Sequence, residues 1–141
     1  MGMTWQEVMD SPHLQNLPFK LELSKWGNIE MSPAQTCMGK KQSEISAELR
    51  KKRGGVVIIK CSIQTDDGVC VADVAWISNA LYKQFGTLTP YPHAPEVCVE
   101  IMSPGNTWAE MHMKAGLYLK AGAKEVWIEP LNGKRTTIKP E

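Results

Sequence analysis

The sequence predicts an α/β fold in which one central mixed β-sheet is flanked by helices and opened by an N-terminal β-hairpin. Three features lead there. Short segments with strand-type alternation or β-branched runs recur along the chain. Two longer stretches ending in basic or glycine stop signals separate them. No repeat, linker or low-complexity tract interrupts the order, so helices are expected to cover both faces of one sheet. The chain has 141 residues, of which 43% are hydrophobic and 22% charged. One domain over residues 1–141, with a core of its own, is the expectation.

In chain order, Thr4 caps a short helix over residues 5–9 that stops before Ser11-Pro12. Phe19-Lys20-Leu21-Glu22-Leu23 alternates as a strand, Trp26-Gly27-Asn28 turns, and Ile29-Glu30-Met31 returns to complete a hairpin. The first long helix is predicted over residues 41–53, with Ile45 and Leu49 on its inner stripe. It is terminated by Arg50-Lys51-Lys52-Arg53 and Gly54-Gly55. Residues 56–63 and 69–77 are β-rich runs joined by the Thr65-Asp66-Asp67-Gly68 turn. A short helix over 80–85 and a proline-rich loop over 86–95 lead to a strand over 96–102. Asn106 or Thr107 then caps a helix over 108–121, closed by Gly122. A strand over 125–129, an Asn132-Gly133 turn and an edge strand over 134–139 finish the chain.

Composition excludes several classes of function. Sixteen Lys+Arg against fifteen Asp+Glu leave a net charge of +1, so no broad basic field grips nucleic acid by itself. No apolar run approaches the roughly 18 residues of a membrane span, and residues 1–10 are polar. A cytoplasmic location without membrane association is expected. Cys61, Cys70 and Cys98 lie in Val/Ile-rich runs as small buried hydrophobes, and no cysteine stands in a CxxC pair. His13, His93 and His112 are scattered, which argues against a histidine metal site.

The residues that call for chemistry are acids inside apolar strands. Asp73 interrupts Val71-Ala72-Asp73-Val74-Ala75-Trp76, and Glu100 interrupts Val97-Cys98-Val99-Glu100-Ile101-Met102. A buried carboxylate needs a compensating charge. A divalent metal is one compensator; a sheet-end position or a Lys or Arg partner is another. On the last helix, Met111, Ala115, Tyr118 and Leu119 form an apolar stripe with Lys114 at its border. The Lys114 stem can lie along the sheet with its ammonium toward the acids. Glu22 adds a third carboxylate in the opening hairpin. Lys60, for an even loop around Asp66-Asp67, falls opposite Asp73 or Ala75 and on the face of Asp73. There it is either an ion-pair partner that competes with metal or an auxiliary lysine.

Together these segments resemble a known family. The hairpin from Phe19 to Met31-Ser32-Pro33 is similar to its opening. The Asp73 strand, the Ala94-Pro95-Glu96-Val97-Cys98-Val99-Glu100-Ile101-Met102-Ser103-Pro104 segment and the run from Lys114 to Trp127 are similar to its later motifs, in the same order. The family is Uma2, also called DUF820, frequent in cyanobacteria and part of the PD-(D/E)XK superfamily of restriction-endonuclease-like nucleases. The resemblance implies a restriction-endonuclease-like core and an endonuclease that hydrolyses nucleic-acid phosphodiesters. It implies Mg²⁺ or Mn²⁺ held by Asp73 and Glu100, Lys114 as the catalytic lysine and Glu22 as an additional catalytic acid. The superfamily lysine two residues after the Glu would fall at Met102, so the lysine must come from the helix. Many relatives carry a histidine near Met38, and a methionine supplies no proton.

The leading expectation is therefore a metal-dependent nuclease acting on DNA, with Lys51, Lys52 and Arg53 as the candidate nucleic-acid contacts. A homodimer through an exposed sheet edge is expected with it. The alternative is a catalytically inactive nuclease-fold protein that works by binding or assembly. A nucleotide binder ranks last, because no glycine-rich phosphate loop is present.

Overall fold

Alternating and β-branched segments become strands in the computed structural model, which describes residues 2–33 and 35–141. They are β1 (Phe19–Leu23), β2 (Ile29–Pro33), β3 (Val56–Thr65), β4 (Gly68–Ile77), β5 (Val97–Met102), β6 (Glu125–Pro130) and β7 (Thr136–Ile138). The helices are α1 (Trp5–Asp10), α2 (Thr36–Arg53), α3 (Asn79–Phe85) and α4 (Trp108–Lys120). One turn of 3-10 helix, Pro12–Leu14, follows α1. Among the described residues, no helix is long and apolar enough to cross a membrane.

All strands join one sheet in the order β2-β1-β4-β5-β6-β7, with β3 on β4. The β5–β6 pair is parallel and the other pairs are antiparallel, so the sheet is mixed as expected. Ile45 and Leu49 of α2 pack on one face, against Val74, Val97, Val99 and Trp127. Ala115 and Tyr118 of α4 pack on the other, against Ala72, Ala75, Cys98 and Val126. Cys61, Cys70 and Cys98 are buried in that second cluster. Burial pushes the Cys61 thiol up to about 12 and the Cys70 thiol up to about 11, which leaves both unreactive.

The long strand β4 organises the rest. β3 runs along one of its edges, and the other edge is shared. β1 meets it at Leu23↔Val69, whereas β5 meets it at Val74↔Val99, Ala75↔Cys98 and Trp76↔Val97. Between those contacts the edge is forked. Gly68, at φ +80°, lets β1 approach, because a Cβ there would collide with the Leu23 carbonyl.

A second irregularity lies level with the fork. The β3–β4 ladder pairs Ile59↔Val74 and Cys61↔Ala72 but skips Lys60 and Asp73 between them. Lys60 has φ +54°, a left-handed conformation that costs a non-glycine residue roughly 1–2 kcal/mol. Alternation inverts here in both strands. Cys70 and Ala72 face the α4 cluster before Asp73, and Ala75 and Ile77 face it after. On β3, Val56 and Ile58 change parity with Cys61 and Ile63 in the same way.

The predicted element order holds, and the differences sit at boundaries. α2 begins at Thr36, five residues before the expected 41. Its first turn contains Gly39 and β-branched Thr36, which carry little helix signal. β3 extends to Thr65, and the last strand is confined to Thr136–Ile138.

Candidate functional site

The fork leaves the backbone N–H and C=O of Val71 without a strand partner, and two side chains of β1 satisfy them. Glu22 Oε2 accepts from Val71 N–H at 2.7 Å, and Lys20 Nζ donates to the Val71 carbonyl at 3.0 Å. Lys20 and Glu22 are two apart on one strand and so project from the same face. Asp73 and Glu100 stand one residue beyond the Val74↔Val99 pair, on neighbouring strands at the point where their ladder ends. Asp73 Oδ2 accepts from the Ile101 N–H at 2.8 Å, turning the side chain into a substitute for the next rung.

Both acids address one cation. Lys20 Nζ lies 3.0 Å from Asp73 Oδ1 and 3.4 Å from Glu100 Oε1. Lys114 reaches the cluster from α4, with its Nζ 3.0 Å from Glu100 Oε1 and 2.7 Å from the Glu22 carboxylate. One turn further along α4, the Tyr118 hydroxyl donates to Glu100 Oε2 at 3.1 Å. Three carboxylates thus meet two ammonium groups, with one negative charge in excess.

The two strand acids are driven apart electrostatically. Burial, and then the neighbouring Glu100 carboxylate, push Asp73 up. Burial also opposes ionisation of Glu100, but the Lys114 and Lys20 ammoniums outweigh it and hold Glu100 below the ordinary carboxylate range. Burial works against the charge on Lys114 as well; Glu100 and Glu22 more than offset it and hold that amine protonated well above its usual range.

Asp73 and Glu100 open onto a cleft of about 390 Å³. Lys20, Lys60 and Lys114 supply its basic side, while Met31, Met38 and Met111 supply apolar wall. The loop through Ser103 and Asn106 forms a rim, pinned where Asn106 Oδ1 accepts from the Ser103 N–H at 3.0 Å and its hydroxyl at 2.8 Å.

The structure brings the four predicted residues Glu22, Asp73, Glu100 and Lys114 into one connected network. Glu22 lies behind Lys114 rather than on the main cleft, and lines a smaller cavity beside it. Lys60 is opposite Asp73, one of the two expected registers, but no carboxylate among the described residues lies within ion-pairing distance of it. The ion-pair role falls to Lys20, which sequence reasoning missed. Its signal was present, since the alternation that exposes Glu22 also places Lys20 on the same face. By sequence Tyr118 belongs to the apolar stripe, yet it lies four residues after Lys114 and so on the same helix face. Met38 packs against the α2-side core and lines the cleft. Lys51, Lys52 and Arg53 stand at the other end of α2 from the cleft residue Gln42, about 14 Å or more along the helix axis. There Lys52 pairs with Glu48, and Arg53 pairs with Glu125. Among the described residues, no group of three or more His, Cys, Asp or Glu side chains is set to hold a metal.

A mixed sheet with a helix layer on each face, and acids meeting a helix lysine where two strands diverge, define a restriction-endonuclease-like protein. The chain is similar in fold to a solved structure described as "a putative nuclease belonging to DUF820" from Anabaena variabilis ATCC 29413. The TM-score is 0.70 at 16% identity, over 98% of this chain and 85% of that one. The family model "Uma2: Putative restriction endonuclease" matches residues 5–138, and the chain belongs to the Uma2 family. No curated protein matches it.

Proposed function

We propose that this protein is a divalent-metal-dependent endonuclease that hydrolyses a phosphodiester bond of a nucleic acid, DNA foremost, in the cleft at the β4 fork. The observation that supports this reading most is the convergence of Asp73 and Glu100, from separate strands, on one cation at an open cleft. Their oxygens are the hard donors that Mg²⁺ and Mn²⁺ prefer. The cluster keeps one uncompensated negative charge, so the donor set fits a divalent ion held by Asp73 and Glu100 in place of the Lys20 ammonium. Bound there, such an ion supplies an acidified water and offsets charge on a phosphate oxygen.

The protein's own groups do the remaining work. Lys114 carries its proton between Glu100 and Glu22, and its ammonium neutralises the charge that builds on the phosphate. Glu22 fixes that ammonium from behind. Tyr118 holds the Glu100 carboxylate in one orientation. Met102, two residues after Glu100, supplies neither proton nor charge, which leaves this role to α4. Cutting both strands of a duplex takes two such sites. The edge strand β7, paired among the described residues only with β6, offers an open side for a homodimer.

The test is calorimetric titration with Mn²⁺, alongside cleavage of plasmid DNA in Mg²⁺, for the wild type and Asp73→Asn. The wild type is expected to bind Mn²⁺ and cut. Asp73→Asn is expected to keep its circular dichroism spectrum and lose both properties. Cleavage that persists in Asp73→Asn overturns the assignment of the site. A folded wild type that binds no Mn²⁺ favours the inactive binding-module alternative.

A further inference from the structure

Lys60 combines a left-handed backbone, a place on the cleft wall and a side chain with no polar partner among the described residues. It holds φ +54° inside a ten-residue strand, where glycine or asparagine would sit with less strain. Its side chain is exposed, lines the cleft beside Asp73 and Glu100, and makes no hydrogen bond or ion pair to any described residue. Lys20 and Lys114, the other cleft lysines, are each committed to two carboxylates. A strained backbone at a cleft, carrying an unengaged cation that contributes nothing to packing, is the pattern of a residue kept for a ligand.

We propose that Lys60 binds a phosphate oxygen of the nucleic-acid strand seated in the cleft. Of the three cleft lysines it is the one that holds no carboxylate among the described residues, so it can take a phosphate oxygen alongside Lys114. This rests on the nucleic-acid reading above. The ligand class follows from the chemistry: an ammonium with three free donors at the mouth of an acidic site selects an anionic oxygen, and the cleft's apolar wall suits the bases or sugars beside it. The skipped rung sets Lys60 across from Asp73 in the register, and both line the same cleft, which makes the phosphate it holds a near neighbour of the proposed cleavage position.

The test is fluorescence anisotropy with a labelled 20-nucleotide DNA, single-stranded and duplex, in EDTA so that nothing is cut. Wild type, Lys60→Met, Lys60→Arg and Lys60→Gly are compared, and each variant's thermal midpoint is measured. Lys60→Met and Lys60→Gly are expected to weaken binding about tenfold and to flatten the log–log salt dependence by about 0.7–0.9, the signature of one lost phosphate contact. Lys60→Arg is expected to keep both, and Lys60→Gly to match or exceed the wild-type thermal midpoint as the left-handed strain is relieved. Wild-type affinity and slope in Lys60→Met overturn the proposal, as does a loss confined to thermal stability. If the wild type binds neither probe, the nucleic-acid reading itself fails and takes this one with it. A failure of Lys60 alone is recognised because the wild type still binds.

Discussion

Lys20 keeps Asp73 and Glu100 together as long as no other cation lies between them. Its side chain is only 12% exposed, and its amine is held above the ordinary lysine range by Glu100 and the other acids despite burial and the nearby Lys114. Removing it leaves two buried carboxylates facing each other. Lys20→Met is expected to lose about 3 kcal/mol of stability in EDTA, measured by urea denaturation. If the acids form a metal site, Mn²⁺ restores most of that loss and binds the variant more tightly than the wild type, because no ammonium competes. Equal Mn²⁺ affinity in the two proteins would show that the ion binds elsewhere. Glu100 is the group least open to change, since Lys20, Lys114 and Tyr118 all depend on its carboxylate. Asp73→Asn is the milder probe: burial already disfavours the Asp73 charge, and the amide oxygen can still accept from the Ile101 N–H.

At the scale of elements, α2 is tied to the β6–β7 side of the sheet by one arginine. Arg135, just before β7, donates to Glu48 of α2 through both terminal nitrogens, at 2.7 and 2.8 Å. It also pairs with Glu129 of β6 and lies 3.7 Å from the centroid of the Trp127 ring. Glu129 is buried, and its only other ion-pair partner among the described residues is Lys41 at 3.8 Å. Arg135→Met is therefore expected to cost about 3 kcal/mol at neutral pH. The acid limb provides an independent check. Hydrogen bonds from Arg135, outweighing burial, hold Glu48 below the ordinary carboxylate value. A lowered carboxylate stabilises the fold above its unfolded value and loses that contribution as pH falls through the folded one. Between about pH 5 and pH 3 the wild type should lose more stability than Arg135→Met, and chemical denaturation across that range measures it. Identical acid limbs would exclude the Arg135–Glu48 pair as a source of stability.

Across the whole molecule, charge is nearly balanced at +1, and two of the four basic residues at the end of α2, Lys52 and Arg53, pair with Glu48 and Glu125. The balanced charge and the commitment of Lys20 and Lys114 to carboxylates leave the cleft without a broad basic field for nucleic acid. The log–log salt dependence for duplex DNA is expected to be shallow, no steeper than about −3, corresponding to some three phosphate contacts. A slope near −6 or beyond would mean a broad basic surface formed by association of several copies. Neutralising Lys51 and Lys52 should change that slope little, because they stand at the end of α2 remote from the cleft.

The element order, the caps and stops of the helices, and the acids Asp73 and Glu100 as misfits in apolar strands could be read from the sequence. Each depends on periodicity or on chemistry within a few residues. Lys114 was legible for the same reason, as the border residue of a helical stripe. The start of α2 was not, because Thr36 and Gly39 carry weak local preference and packing at the cleft decides their conformation. Nor was the choice of Lys20 over Lys60 as the ion-pair partner. It follows from the way β1 and β5 share one edge of β4 and from the left-handed break at Lys60, which inverts the facing of two strands at once. Local pattern determined which side chains were available for chemistry. Only the tertiary structure decided which of them meet, since lateral pairing and a break in alternation are set between segments far apart in the chain.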